Sequence, residues 1–160
     1  MRILYIAFDN PAVDTILGGM NEETLSGLPA FFYPFKLLLE RGNTIDLLLF
    51  SNAEHEVTES EHFKKENFFQ IKSKRSGALG KLELPLLLMR ETRKRLKARH
   101  YDFVYGLSEG SHMGVRTAAK MGVPCALRQF GTQEMANVLK PVKGVFRRRL
   151  KALKDYTYIT

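Results

Sequence analysis

Ser108-Glu109-Gly110-Ser111-His112 places two hydroxyls, a carboxylate and an imidazole within five consecutive residues. Such groups can hydrogen-bond a polar ligand, Glu109 can act as a base, and His112 can donate a proton. Plainer roles exist for each: Ser108 and Ser111 are good N-caps for a following helix, and a loop carboxylate or helix-start histidine is commonly just solvated. Arg128-Gln129-Phe130-Gly131-Thr132 is the second such segment. Arg128 there would meet an anionic or hydroxylated ligand beside Thr132, or pair with a neighbouring helix carboxylate. Gly18 and Gly19 project no side chain, so backbone can approach a ligand there, and they equally suit a turn.

Other chemistries are excluded by spacing. Gly18-Gly19 lies about ten residues beyond the first apolar run and lacks the G-x-G-x-x-G pattern, and no Walker A lysine-serine sequence exists. His55, His62, His100 and His112 show no triad or metal-ligand spacing with Cys125, which reads as strand packing. No metal and no cofactor are therefore expected. The single cysteine also rules out a disulfide framework.

Charge is distributed unevenly. Residues 1–71 hold 5 Lys/Arg and 11 Asp/Glu, a balance of −6, whereas residues 72–160 hold 20 and 6, a balance of +14, which together make the chain's +8. A basic side follows, suited to nucleic acid, an anionic membrane or a phosphorylated ligand. The densest stretch, residues 140–154, includes Lys143, Arg147, Arg148, Arg149 and Lys151 and no acid, with Val142, Val145, Phe146, Leu150 and Leu153 as an apolar stripe. This reads either as a basic amphipathic helix on an anionic membrane surface or as a sheet-covering helix with a solvated back. No RNP-type strand, zinc finger or helix-turn-helix pattern accompanies the charge, so a nucleic-acid partner is not expected.

The elements that must position these residues follow from the apolar pattern. With 44% apolar and 26% charged residues in 160, the chain has the balance of one globular domain. Arg2–Phe8 and Thr44–Phe50 read as buried strands, and Phe68–Ile71, Tyr101–Leu107, Pro124–Phe130 and Tyr156–Thr160 as further ones. Between the first two lie a polar loop through Gly18-Gly19 to Gly27 and a helix from Leu28 to Arg41-Gly42, which Pro34 is expected to kink or break. Lys72–Gly80 reads as an exposed loop. A helix over Lys81–His100 follows, with Leu79, Leu82, Leu86, Met89 and Leu96 on one side and Pro85 in its first turns. Helices are also expected over Ser111–Met121 and residues 133–154. Alternating strands and helices predict a three-layer α/β/α, Rossmann-like domain with a mostly parallel sheet. In such a sheet ligands bind outside the carboxyl ends of the strands, which selects Asp9–Gly19, Ser51–Glu54, Ser108–His112 and Gly131–Glu134. No apolar run reaches the roughly 18 residues of a membrane span, and Met1–Asp9 is a poor signal peptide, so a reduced, cytoplasmic setting is expected.

The order of these pieces resembles the N-terminal half of a GT-B retaining glycosyltransferase of family 4. The first strand, Pro11, the Gly18-Gly19 pair, and Leu39-Glu40-Arg41-Gly42-Asn43 before the second strand are similar to that family's opening, with Asn43 where histidine is usual. Tyr101–Tyr105, then Ala118–Pro124, match its "D-hydrophobic-hydrophobic … A-x-x-x-G-I-P" pattern, and Arg128–Thr132 matches "R-x-H/F-G-T". Leu150–Thr160 is similar to its late helix and strand. The resemblance implies that residues 1–160 form one acceptor-side domain, with the donor-binding C-terminal domain outside this chain, so that the fragment alone would be inactive. It implies sugar transfer from a nucleotide-sugar donor to a glycan or lipid-linked acceptor in cell-envelope or exopolysaccharide synthesis; the basic stretch 140–154 separately suggests a peripheral place on the inner membrane face. By the same resemblance Gly18 and Gly19 approach the donor diphosphate, and Phe130 stands where relatives carry a sugar-contacting histidine; Asp9, Ser108, Glu109, His112, Arg128 and Thr132 remain sugar-side or acceptor-side candidates. The alternative is a non-catalytic flavodoxin-like or receiver-like domain that binds a ligand or protein. Against a receiver, Gly106–Glu109 supplies no phospho-acceptor aspartate.

Overall fold

The computed structural model describes residues 1–20, 29–60, 63–73 and 77–128. Its elements in chain order are β1 (Arg2–Phe8), α1 (Pro11–Leu17), α2 (Pro29–Glu40), β2 (Thr44–Phe50), β3 (Phe68–Ile71), α3 (Gly77–Ala98), β4 (Phe103–Leu107), α4 (His112–Lys120) and β5 (Cys125–Arg128). The five strands form one sheet in the order β3-β2-β1-β4-β5, and every pairing is parallel. This is the expected three-layer, Rossmann-like α/β architecture. The helix expected over residues 133–154 and the strand over Tyr156–Thr160 lie outside the described residues.

Alternation along β1 explains why its run is apolar throughout. Tyr5 and Ala7 face a core formed with α1 and α2 that includes Phe31, Phe35 and Leu39, while Leu4 and Ile6 face a second core with Leu88, Val104 and Ala118. A strand covered on both faces has no position left for a solvated side chain. Asp46 on β2 is the exception: fully buried, it accepts hydrogen bonds from Tyr101 Oη (2.5 Å) and Arg99 Nη1 (3.3 Å) and pairs with Arg2 Nη2 at 3.5 Å.

Four expectations need correction. The polar loop after β1 contains α1. Asn10 is its N-cap, with Oδ1 accepting from the Ala12 amide (3.0 Å) and Nδ2 donating to the Phe8 carbonyl (3.0 Å), and Pro11 occupies the first turn where a missing donor costs little. Pro34 does not end α2, which runs on to Glu40. Phe31, Phe32 and Phe35 are all fully buried, each stabilising by about 1.5–3 kcal/mol, against about 3 kcal/mol for an interior proline. Burial wins. At the end of α2 the Asn43 side chain donates to the Leu38 carbonyl (2.7 Å), closing the helix.

Lys72–Gly80 is not wholly loop, since α3 begins at Gly77; Pro85 consequently lies more than two turns inside it. The inward face of α3 agrees with the expected one at Leu96, which packs against the second core, but not at Leu86. Leu86 is 67% exposed, whereas Leu88 and Thr92 are buried and Arg95 lies over the Phe69 ring at 3.8 Å. Leu84–Met89 is apolar without a break, so it supports several helix phases. The phase adopted lets Arg99 reach Asp46 and brings Leu88 and Thr92 against Gly114 of α4. A Cβ on Gly114 would stand 2.6 Å from Ile6 Cδ1 and 3.0 Å from Thr92 Oγ1, so glycine is what allows α4 onto the sheet.

Candidate functional site

The strand order reverses between β1 and β4, the position beyond whose carboxyl ends open parallel sheets take ligands. Asp9 follows β1 and Ser51 follows β2. Their amides continue the ladder, Asp9 N–H donating to the Phe50 carbonyl (3.0 Å) and Ser51 N–H to the Ile71 carbonyl (3.2 Å). Ser108 follows β4, and its N–H donates to the Arg128 carbonyl (2.8 Å). The turn Glu109–Ser111 folds back over the end of β1, where a Cβ on Gly110 would meet the Phe8 ring at 2.4 Å. Asp9, Ser108 and Arg128 therefore share one edge of the sheet.

Between Asp9 and Ser51 sits a residue that spacing did not select. His55 has a side chain only 3% exposed. Its Nε2 is 2.7 Å from Ser51 Oγ and 3.6 Å from Asp9 Oδ1, and its Nδ1 is 3.1 Å from Asp14 Oδ1 on α1. Ser51 Oγ also donates to Asp9 Oδ2 at 2.5 Å and accepts from the Ala53 amide at 3.0 Å. The chain Asp9–Ser51–His55–Asp14 thus contains three side-chain hydrogen bonds. Ser51 Oγ bridges Asp9 and one nitrogen of the His55 ring, and the other ring nitrogen meets Asp14, so one imidazole ties the two aspartates together. Asp9 and Asp14 keep their other faces toward solvent, their side chains 40% and 73% exposed. The arrangement fixes two carboxylates, ready to accept hydrogen bonds from a hydroxylated ligand, on a buried imidazole and serine hydroxyl.

The spacing of the histidines relative to Cys125 did not point to this contact: His55 joins a serine and two aspartates from the ends of β1 and β2 and from α1. The sequence signal was faint, a Ser-x-x-x-His immediately after β2 and an aspartate immediately after the neighbouring strand. Ser51 Oγ is itself buried and hydrogen-bonded to a carboxylate, so its hydroxyl is a bridge and not an exposed nucleophile.

The remaining candidates are placed as follows. Ser108 adopts a left-handed backbone (φ 69°) and does not cap α4. Ser111 occupies the N-cap position in helical conformation without a capping bond, and its buried Oγ donates to the Leu107 and Ser108 carbonyls (3.0 and 2.8 Å). A buried hydroxyl with backbone acceptors that close gains more from them than from an amide it does not reach. Gly18 caps the carboxyl end of α1, its N–H donating to the Asp14 carbonyl (2.7 Å), and Gly19 has φ +96°. Seven residues of helix, about 10 Å, separate this pair from Asn10 at the sheet edge. His112 and the exposed Arg128 are both engaged by neighbours, and Arg128 lies near enough to Tyr5 to oppose the rise of a phenol that burial pushes far up. Half-buried Cys125 has a thiol raised by burial. Phe130, Thr132, His62 and the basic residues Lys143, Arg147, Arg148, Arg149 and Lys151 lie outside the described residues. Among those described, no three His, Cys, Asp or Glu are placed to hold a metal, and no helix is long and apolar enough to cross a membrane.

Known structures share this architecture. The C-terminal domain of a hydrogenase from Pyrococcus furiosus matches with a TM-score of 0.51 and 15% identity, over 79% of this chain and 90% of that one. A UDP-GlcNAc 2-epimerase from Methanocaldococcus jannaschii matches with a TM-score of 0.54 and 12% identity, over 98% of this chain and 37% of the epimerase. The likeness is one of fold. A UGT transferase from Siraitia grosvenorii, in complex with UDP, gives 0.47 at 9% identity, over 78% of this chain and 27% of that one. No protein-family model and no curated protein matches the sequence. The chain is a Rossmann-like α/β domain, of the kind that makes up part of the epimerase.

Proposed function

We propose that this domain is the acceptor-side lobe of a nucleotide-sugar-dependent glycosyltransferase, and that its Asp9–Asp14 edge binds the hydroxyls of a glycan or lipid-linked acceptor. The observation carrying the reading is the carboxylate pair on His55 and Ser51, set at the carboxyl edge where open parallel sheets take ligands. Carboxylates held in fixed geometry suit vicinal hydroxyls, and they repel a diphosphate, so the donor's phosphates would be carried by cations of a second lobe. Support for a sugar-nucleotide context comes from the motif order along the chain and from the fold shared with an enzyme that acts on UDP-GlcNAc. In this reading Asp9 orients the acceptor hydroxyl toward the anomeric carbon, transfer proceeds with retention as the family resemblance implies, and leaving-group charge is stabilised electrostatically.

Saturation-transfer NMR with a panel of glycans and UDP-hexoses tests this. Glycan signals saturated by the wild-type chain and lost in Asp9→Ala, with unchanged circular dichroism, are expected. Equal saturation by both proteins, or none from any glycan, overturns the reading. A second reading, a non-catalytic flavodoxin-like binding domain, is favoured by the hydrogenase domain, which this fold covers almost end to end; glycan silence together with binding of an aromatic cofactor would select it.

A further inference from the structure

The structure assigns the outer face of α3 as a docking surface for an anionic phospholipid bilayer, an inference independent of the sugar-transfer reading. Leu86, Met89, Arg90, Arg93, Lys94 and Lys97 line one open groove and recur at helical spacings of three and four, so they share one side of α3. The opposite side is spent on the fold: Leu88 and Thr92 are buried, Arg95 lies over Phe69 and Arg99 reaches Asp46. Arg90, Arg93 and Lys97 are exposed and form no ion pair among the described residues, while Lys94 is 3.9 Å from Glu91. The neighbouring α4 adds Arg116 and Lys120 and no acid, and Met121, 38% exposed, follows it. Meanwhile Asp14 and Glu40 lie on α1 and α2, across the sheet. Among the described residues, α3 and α4 thus carry more cations than acids on their side of the sheet, Glu83 and Glu91 being the acids of α3.

Two features select a bilayer over a polyanionic chain. Leu86 stands 67% exposed amid the cations, which suits acyl chains below a headgroup layer and gains nothing from a phosphodiester backbone. The face also carries no aromatic ring on which a base could stack. Its span from Leu86 to Lys97, about 16 Å, lets the cations engage headgroups together while α3 lies flat.

The test is partitioning of the full chain onto phosphatidylcholine vesicles with and without 30% phosphatidylglycerol. Binding to the anionic vesicles alone is expected, and each cation removed should weaken it about fivefold. The Arg90→Gln/Arg93→Gln variant should therefore partition about 25-fold less, and Leu86→Ser should abolish the part of the binding that survives raised salt. Both variants alter solvent-facing side chains, and circular dichroism verifies that they fold. Unchanged partitioning of the double variant, loss confined to a variant with Arg147, Arg148 and Arg149 neutralised, or tighter binding to duplex DNA that ignores Leu86→Ser would each overturn the assignment.

Discussion

Replacing His55 with leucine keeps the buried volume roughly constant and removes the clamp beneath Asp9 and Asp14. Three contacts disappear: Nε2 to Ser51 Oγ (2.7 Å), Nδ1 to Asp14 Oδ1 (3.1 Å) and the looser approach to Asp9 (3.6 Å). The bond to Ser51 is buried and contributes about 1 kcal/mol. The one to Asp14 joins a carboxylate that is 73% exposed, so water recovers most of it and about 0.5–1 kcal/mol remains. Asp9 retains its serine donor. The total is about 2 kcal/mol, which for a chain of this size lowers Tm by about 4–8 °C. Urea titration of wild type, His55→Leu, Ser51→Ala and the double variant would resolve a coupling of about 1 kcal/mol between the two residues. A His55→Leu protein as stable as the parent, with additive costs across the cycle, would refute the clamp.

Two further perturbations probe the scaffold. Gly114→Ala drives a methyl group to 2.6 Å from Ile6 Cδ1 and should cost about 1–3 kcal/mol of overpacking; a denaturation midpoint at or above wild type would mean that α3 and α4 separate freely. Tyr101→Phe deprives the fully buried Asp46 of its shortest donor and should cost about 1.5–3 kcal/mol at neutral pH. Burial first, then the hydrogen bond to Asp46 and its charge, push the Tyr101 phenol up, so this contribution is complete below the unfolded phenol value of about 10 and fades as pH rises above it. The wild-type advantage over Tyr101→Phe should therefore shrink in alkaline urea titrations, and a gap that widens would contradict the assignment.

Strands were legible in the sequence because burial on both faces leaves an apolar run, unbroken in Leu4–Ala7 and interrupted in Ile45–Leu49 by Asp46 alone. Short or ambiguous helices were not. At seven residues α1 shows barely two turns of periodicity, and its Asn10-Pro11 start reads equally as a turn. In α3 the continuous Leu84–Met89 run conceals the facing side, which Arg99 and Gly114 settle through contacts far away in sequence. The same holds for the site. The segments after Asp9 and Ser51 were selected by the carboxyl-end rule for parallel sheets, but His55 meets Asp14 across 41 residues, a distance over which no spacing rule operates.

Of the described strands, β1 is the earliest in the chain and also the middle one of the sheet. β1 finds β2 once residue 50 has emerged, yet its other edge pairs with Phe103–Gly106. Translation of the intervening hundred or so residues takes roughly 5–20 s. Throughout that interval Ile3–Ile6 presents an unpaired apolar border on the nascent chain, and a slow codon cluster ahead of β4 would prolong that exposure.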